Sequence, residues 1–227
     1  MAPGSKITQQ EVWNSIAEPW YRLRTRMYDD LKEFLRNNTS RNFVLDLGCG
    51  SGRSFMAGKK YVGVDFSENM LRHAKQYAEK NGIDAVLIKA DLTRLPLKSN
   101  AFRTVLMVAT LHVMEDRAMC LEETKRIMEK GGEAFVTVWN KNQPRFFMSK
   151  KESFVPWKAG GRIYRRYYYL FTRGELRKLL SAYFNVLTEF IAFCSNRIRY
   201  RQTYVIGAGF LVHVGRALCN TVFSGIT

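Results

Sequence analysis

Residues 42–55, NFVLDLGCGSGRSF, run from an apolar stretch through a carboxylate, Asp46, straight into glycines at 48, 50 and 52. A short apolar run that ends in glycines reads as a buried strand followed by a loop whose backbone can approach a ligand closely. A second apolar run, YVGVD, ends in another carboxylate, Asp65, 19 positions after Asp46. Glycines after one strand and an acidic residue about 20 positions later suit a nucleoside, with the carboxylate on its ribose diol. The same spacing occurs in dinucleotide sites and in plain tight turns, so it constrains the fold before it names a ligand.

Two residues narrow the ligand. The dinucleotide fingerprint GxGxxG places its third glycine three positions after the second, and Arg53 stands there instead. Asp46, inside the leading strand, would repel a pyrophosphate and attract the ammonium of a methionyl group. S-adenosylmethionine therefore fits this loop better than a nicotinamide dinucleotide.

Along the chain, apolar runs near 43–47, 61–65, 85–89, 104–109, 133–139, 184–191 and 203–214 alternate with amphipathic stretches. This is the pattern of an α/β, Rossmann-like domain: a seven-stranded, mostly parallel sheet with helices on both faces. A helix is expected to begin after Gly52. Ser67 caps a helix over 68–80 that Asn81-Gly82 ends, and Thr172 with Glu175 forms a capping box for 173–182. The last run, TYVIGAGFLVHV, suits an antiparallel strand with Gly207 or Gly209 as a bulge. Residues 1–40 form an N-terminal helical cap ahead of a domain over 41–227. In that cap Trp13, Ile16, Ala17, Trp20, Leu23, Met27, Leu31, Phe34 and Leu35 recur at helical spacing as core or lid, and Pro19 is placed as an early position of a second helix.

At 227 residues and 46% apolar composition, one domain can supply its own core. No apolar run approaches the roughly 18 residues of a membrane span, and the N-terminus lacks a signal-type apolar region, so a cytoplasmic protein without membrane attachment is the expectation. Cys49, Cys120, Cys194 and Cys219 are far apart, without CxxC spacing, and read as buried thiols with neither disulfide framework nor metal site.

Charge supplies the second clue. A net charge of +16 makes polyanions the natural partners. The excess is densest from Lys141 to Arg177, which takes in an insertion at about 140–171: Lys141, Arg145, Lys150, Lys151, Lys158, Arg162, Arg165, Arg166 and Arg173 interleave with Phe146, Phe147, Phe154, Trp157, Tyr164, Tyr167, Tyr168 and Tyr169. Exposed aromatics there would stack on unpaired bases at roughly 1–3 kcal/mol each, while others must serve the core. The alternative is a solvated basic loop.

VLDLGCGSGRS, YVGVDFSENML and KADLTRLPLKSNAF resemble the successive motifs of class I S-adenosylmethionine-dependent methyltransferases over about residues 42–139. The resemblance implies that Asp46, Gly48, Cys49 and Gly50 cradle the methionine part and that Asp65, beside Phe66, takes the ribose hydroxyls. Asp91 and Leu92 would hold the adenine, with Ala109 at the end of the fourth strand completing the set. A helix or turn cap is the plain alternative for Asp91.

WNSIAEPWYRLRTR, VATLHVM, SFVPWK and YRRYYYLFTRGEL further resemble the tRNA wobble-uridine 5-carboxymethyl methyltransferases, from about residue 12 to 185. That resemblance implies methyl-ester formation on the carboxylate of 5-carboxymethyluridine, the tRNA anticodon loop as substrate, and a small zinc-binding activator subunit on an apolar sheet edge. Arg24 and Arg166 align with the family's arginines. His112 would orient the uracil or stack on it, or is a histidine bonded at a strand end. Tyr168 contacts the base or packs, and Trp139 and Trp157 could wall the uridine. The family pattern does not extend to the tail at about 196–227, which has no acidic residue and carries Arg197, Arg199 and Arg201.

The chemistry suits these residue types. A carboxylate with a reference pKa near 4 is already ionised, so methyl transfer requires no general base. Alignment of the two reactants is the main task and can lower the barrier by roughly 7–11 kcal/mol at best. Arginine grips a carboxylate bidentately and keeps its proton. Methylation of a small lipid-like or quinone precursor, or cofactor-dependent RNA binding without catalysis, remain alternatives.

Overall fold

Seven strands share one sheet in the order β3-β2-β1-β4-β5-β9-β8, and two more make a separate hairpin. The computed structural model describes residues 7–23, 26–38, 43–146, 148–194 and 199–208. In chain order its elements are α1 (Gln9–Leu23), α2 (Asp29–Asn37), β1 (Val44–Leu47), β2 (Tyr61–Asp65), α3 (Glu68–Lys80), β3 (Ala85–Lys89), β4 (Phe102–Val108), α4 (Arg117–Ile127), β5 (Met128–Trp139), β6 (Glu152–Ala159), β7 (Arg162–Tyr169), α5 (Arg173–Ser181), β8 (Asn185–Cys194) and β9 (Arg199–Gly207). The strands β1 to β5 run parallel to one another. β9 inserts antiparallel between β5 and β8. This is the Rossmann-like α/β fold expected from the sequence, a seven-stranded, mostly parallel sheet with helices on both faces.

Strand alternation builds two cores. Leu45, Leu47, Val105 and Met107 face α4 and α5, through Cys120, Leu121, Leu176 and Leu180. Val44, Leu106 and Val108 face the other way, onto Leu31, Phe34 and Leu35 of α2 and Leu71, Ala74 and Ala78 of α3. Period-2 alternation along each strand thus puts helices on both faces. Both expected caps form: Ser67 Oγ accepts from Met70 N, and Thr172 and Glu175 make the reciprocal capping box. Of the cysteines, Cys49 and Cys120 are buried thiols. Among the described residues no helix is long and apolar enough to cross a membrane.

Four expectations need correction. No helix follows Gly52: turns fill the segment because only 13 residues, 48–60, lead from the end of β1 back to the start of β2. Pro19 lies inside α1 rather than opening a second helix. The bond it denies to the carbonyl four residues earlier is tolerated because Trp13 and Trp20, packed edge to face at 5.0 Å, straddle the position; Leu23 at the helix end is 69% exposed. The basic aromatic insertion is no loop, since β6 and β7 pair from Glu152↔Tyr169 to Ala159↔Arg162 around Gly160-Gly161, both at positive φ as a tight hairpin turn requires. The last strand begins at Arg199, and its irregularity falls on the partner, between Val186 and Thr188, with Gly207 in register; Gly209 lies outside the described residues.

One ion pair ties the N-terminal helices to the sheet. Arg201 on β9 bonds Asp30 at the start of α2, and its guanidinium lies 3.7 Å from the Tyr28 ring centroid. Thr203 Oγ1 adds a 3.3 Å bond to Asp30. Removing one partner of a largely buried pair strands the other charge, so Asp30→Ala should cost about 3 kcal/mol in urea unfolding. Asp30→Ala combined with Arg201→Met should recover most of that loss; equal destabilisation in both would show that the pair is not what holds α2.

Candidate functional site

The sheet order reverses between β1 and β4, and α/β sheets open a crevice at the carboxyl ends of strands flanking such a switch point. A cavity of about 400 Å³ lies there, reaching from the glycine loop to Asp65, Asp91 and the segment after β4. Gly48, Cys49, Gly50, Asp65, Phe66, Asp91, Leu92 and Ala109 all line it, and Asp46 lies buried beneath the loop.

Glycine is required at 48: φ is +71°, and a Cβ would sit 2.5 Å from Thr110 Cγ2. At Gly50, φ +53°, a Cβ would meet no atom within 4 Å, which leaves the backbone open to a ligand. Asp65 organises the loop. Its Oδ2 accepts from Gly50 N at 2.9 Å and its Oδ1 from Ser67 N at 2.8 Å, leaving one further lone pair on each oxygen for a ribose hydroxyl. Burial lifts its carboxyl to about 6 against those bonds. Asp91 caps a turn, its Oδ1 accepting from Thr93 N at 2.9 Å and Thr93 Oγ1 at 2.8 Å, and it also lines the cavity. Ala109 takes φ +61°, unusual for a residue with a Cβ, and is held there by bonds from its N–H to Thr137.

Asp46 is 1% exposed, and neither carboxylate oxygen has a hydrogen-bond partner. Burial pushes its carboxyl up to about 7, with Arg53 and Ser54 pulling the other way and Asp65 adding to the rise. An orphaned buried acid is costly unless a cation satisfies it. The ammonium of a methionyl group supplies that cation, so the site fits S-adenosylmethionine. Burial raises the Cys49 thiol well above its ordinary range, which makes it an inert wall rather than a nucleophile.

A second cluster adjoins the cavity. His112, Arg166 and Tyr168 do not line it but come together behind it. Arg166 Nη1 donates to the Tyr168 hydroxyl at 2.9 Å, and the His112 and Tyr168 rings lie 5.1 Å apart. The Arg166 guanidinium sits 4.9 Å from the Trp157 ring centroid, 5.5 Å from Trp20 and 5.9 Å from Trp13. Trp139 stacks on Tyr168 at 4.4 Å and on His112 at 5.5 Å. Burial, then the Arg166 charge, holds His112 down to about 3, so its imidazole is neutral, and Nδ1 has no hydrogen-bond partner. Arg24 lies outside the described residues.

The sequence left the aromatics of this segment divided between base stacking and core. Phe146, Tyr167 and Tyr168 are core, and of the aromatics offered as stacking platforms Phe154, at 50%, is the one that is strongly exposed; Phe147 lies outside the described residues. Gln9, Trp13 and Trp20 of α1 line the cavity, which motif reading missed. Only the helical stripe of the tryptophans pointed that way.

Residues 45–136 match the family described as a methyltransferase domain. The chain carries a class I S-adenosylmethionine-dependent methyltransferase domain. This methyltransferase is 29% identical over 167 residues to a protein of Encephalitozoon cuniculi named a methyltransferase, covering 69% of this chain and 76% of that one. It is 24% identical over 200 residues to the tRNA (carboxymethyluridine(34)-5-O)-methyltransferase of Schizosaccharomyces pombe, covering 75% and 85%. It spans 32% of the human tRNA methyltransferase 9B, to which it is 22% identical. Its fold is shared, at TM-score 0.67 and 16% identity over 91% of this chain and 98% of the other, with a chain from the complex between the Haloferax volcanii Trm112 methyltransferase activator and a methyltransferase.

The two states of Asp46 give a signed test. Its folded value of about 7 lies above the ordinary 3.8, so the folded enzyme retains a proton that the unfolded chain releases, and stability falls as pH rises from about 4 to about 7. Asp46→Asn should therefore be more stable than the parent at pH 8, with no such gain at pH 4, while binding S-adenosylmethionine more weakly. Thermal melts across pH with calorimetric binding check it; a stability difference that does not change with pH would refute the buried-charge account.

Proposed function

We propose that this methyltransferase esterifies the carboxylate of 5-carboxymethyluridine at the wobble position of tRNA. The observation that carries the reading is Arg166, a guanidinium 3% exposed, packed among aromatic rings one layer from the cofactor cavity. A cation so placed suits an anionic acceptor, and its planar fork matches a carboxylate. The activity named for the fission yeast relative agrees with this acceptor.

The residues divide the work simply. Bound S-adenosylmethionine supplies an electrophilic methyl group. Arg166, steadied by Tyr168, holds the acceptor carboxylate in line, and Arg24, following the C-terminal end of α1, is the second arginine of the clamp. His112 is neutral and acts as a wall or hydrogen-bond partner for the uracil rather than as a proton carrier. Trp20 and Trp157, 5.3 Å apart, exclude water. The exposed face of the hairpin offers Lys158, Arg165 and Phe154 to the surrounding RNA, and Arg162 is exposed beside the turn. β3 is one of the two outer strands of the sheet and exposes half of Val86, an apolar edge on which a small zinc-binding activator would add a strand. The Haloferax complex with an activator supports that partner.

Incubation with labelled S-adenosylmethionine and tRNA bearing 5-carboxymethyluridine should put label into wobble uridine as a methyl ester, read by nucleoside mass spectrometry. Label in an organic extract instead would indicate a small lipid-like acceptor, and tight RNA binding without transfer a non-catalytic protein. Arg166→Lys should lower kcat by about 100-fold while leaving cofactor affinity intact. With an acceptor ionised above about pH 4 and a neutral His112, kcat at saturating cofactor should be flat between about pH 6 and 8. An inflection near 6.5 that His112→Gln abolishes would sink the carboxylate reading.

A further inference from the structure

Among the described residues the hairpin has two strands, and one edge of β7 faces no other strand. The side chain of Gln9 lies along that edge. Its Oε1 accepts from Tyr167 N at 2.8 Å and its Nε2 donates to the Arg165 carbonyl at 3.1 Å. The two bonds reproduce a rung of a β-ladder and bracket Arg166 from its chain neighbours on both sides. Glutamine is suited to this because one planar group carries both donor and acceptor.

The opposite face of α1 is bonded to the cofactor end of the molecule. Gln10 Nε2 donates to the Phe66 carbonyl at 2.7 Å. Asn14 Oδ1 accepts from Ser67 Oγ at 2.8 Å and from Asn69 N at 3.2 Å, and Asn69 Nδ2 returns a bond to the Asn14 carbonyl at 3.0 Å. Ser67 is the cap of α3, and its N–H is one of the two that hold Asp65. The other comes from Gly50 in the glycine loop. An unbroken series of hydrogen bonds therefore runs from Gly50 through Asp65, Ser67 and Asn14 into α1, and out through Gln9 to the backbone around Arg166. Trp13 and Trp20, on the same helix, line the cavity and pack on the Arg166 guanidinium.

We propose that α1 is a clasp coupling occupation of the cofactor cavity to the setting of Arg166, and that Gln9 is the positioning residue through which it acts. The proposal rests on the reading of Arg166 as the acceptor clamp. A ligand that orders the glycine loop and Asp65 orders Ser67 and α1 with them, and Gln9 then fixes β7 at Arg166. Coupling is reciprocal, so setting β7 also favours the cofactor-ready loop. Methyl transfer benefits because the acceptor meets a finished clamp only after the donor is in place.

Hydrogen–deuterium exchange on the full chain, with and without S-adenosylhomocysteine, tests the coupling independently of any acceptor. In the parent, ligand should slow exchange at both 48–53 and 164–169. Gln9→Met keeps the volume but removes both polar ends; it should retain protection at 48–53 and lose it at 164–169. Gln9→Glu, which keeps the acceptor alone, should fall between. Protection of the hairpin that survives in Gln9→Met, or that is missing in the parent, overturns the clasp. Turnover on tRNA bearing 5-carboxymethyluridine adds a second arm: Gln9→Met should lower kcat on the order of 10-fold, with KM for the cofactor within about 2-fold. Added to Arg166→Lys it should cause little further loss, since both act at one point, whereas fully additive losses would refute action through Arg166. A parent that shows ligand protection of the hairpin but no turnover on this RNA removes the assigned acceptor and leaves the clasp standing.

Discussion

Everything at the cofactor end depends on one carboxylate accepting two backbone N–H groups. Asp65 lies at the end of β2, and its oxygens join Gly50 of the loop after β1 to Ser67 at the cap of α3. Two neighbouring crossovers are thereby fixed to each other at the mouth of the sheet. Gly48 and Gly50 can then hold left-handed conformations, which would otherwise be one choice among many for a glycine chain. The strength of the arrangement comes from the charge: bonds to an ionised acceptor exceed neutral ones, and burial makes them stronger still while raising the cost of the charge itself.

Asp46 and Asp65 form a contrasting pair. They lie at or next to the carboxyl ends of parallel neighbouring strands, both are buried, and both titrate high, yet one has its oxygens occupied and the other has none. Asp65 shapes the protein, whereas the Asp46 oxygens are left for a ligand, with Arg53 acting on them only through its charge. Burial alone would not have separated these roles. The hydrogen-bond partners do.

Much of this was legible in the residues. The strands that carry Asp46 and Asp65 follow from apolar runs interrupted by carboxylates, and the caps at Ser67 and Thr172 from short-range chemistry that depends on three or four neighbours. The hairpin was less visible because Pro156 interrupts β6 and arginines crowd β7, although Gly160-Gly161 between alternating runs is a hairpin signal. Composition could not tell Arg165 from Arg166: the pleat of β7 turns one to solvent and buries the other, and that register depends on pairing with β6. Trp13 and Trp20 were readable as a helical stripe, but their contact with the cavity and with Arg166 depends on how α1 docks, a long-range matter.

The aromatic wall around Arg166 has a consequence for the energetics of the proposed esterification. A carboxylate anion and a sulfonium cation would enter, and a neutral ester and a neutral thioether would leave, so the reaction extinguishes a pair of opposite charges. Water solvates the separated ions and so holds the reactants back, while a surrounding of indole and phenol rings offers them far less and leaves the uncharged products unpenalised. Arg166 opposes this to the extent that it stabilises the anion. With π faces about 5 to 6 Å from the guanidinium sharing its field, the grip is softened, and the same rings that bury the cation keep it from holding the nucleophile too well.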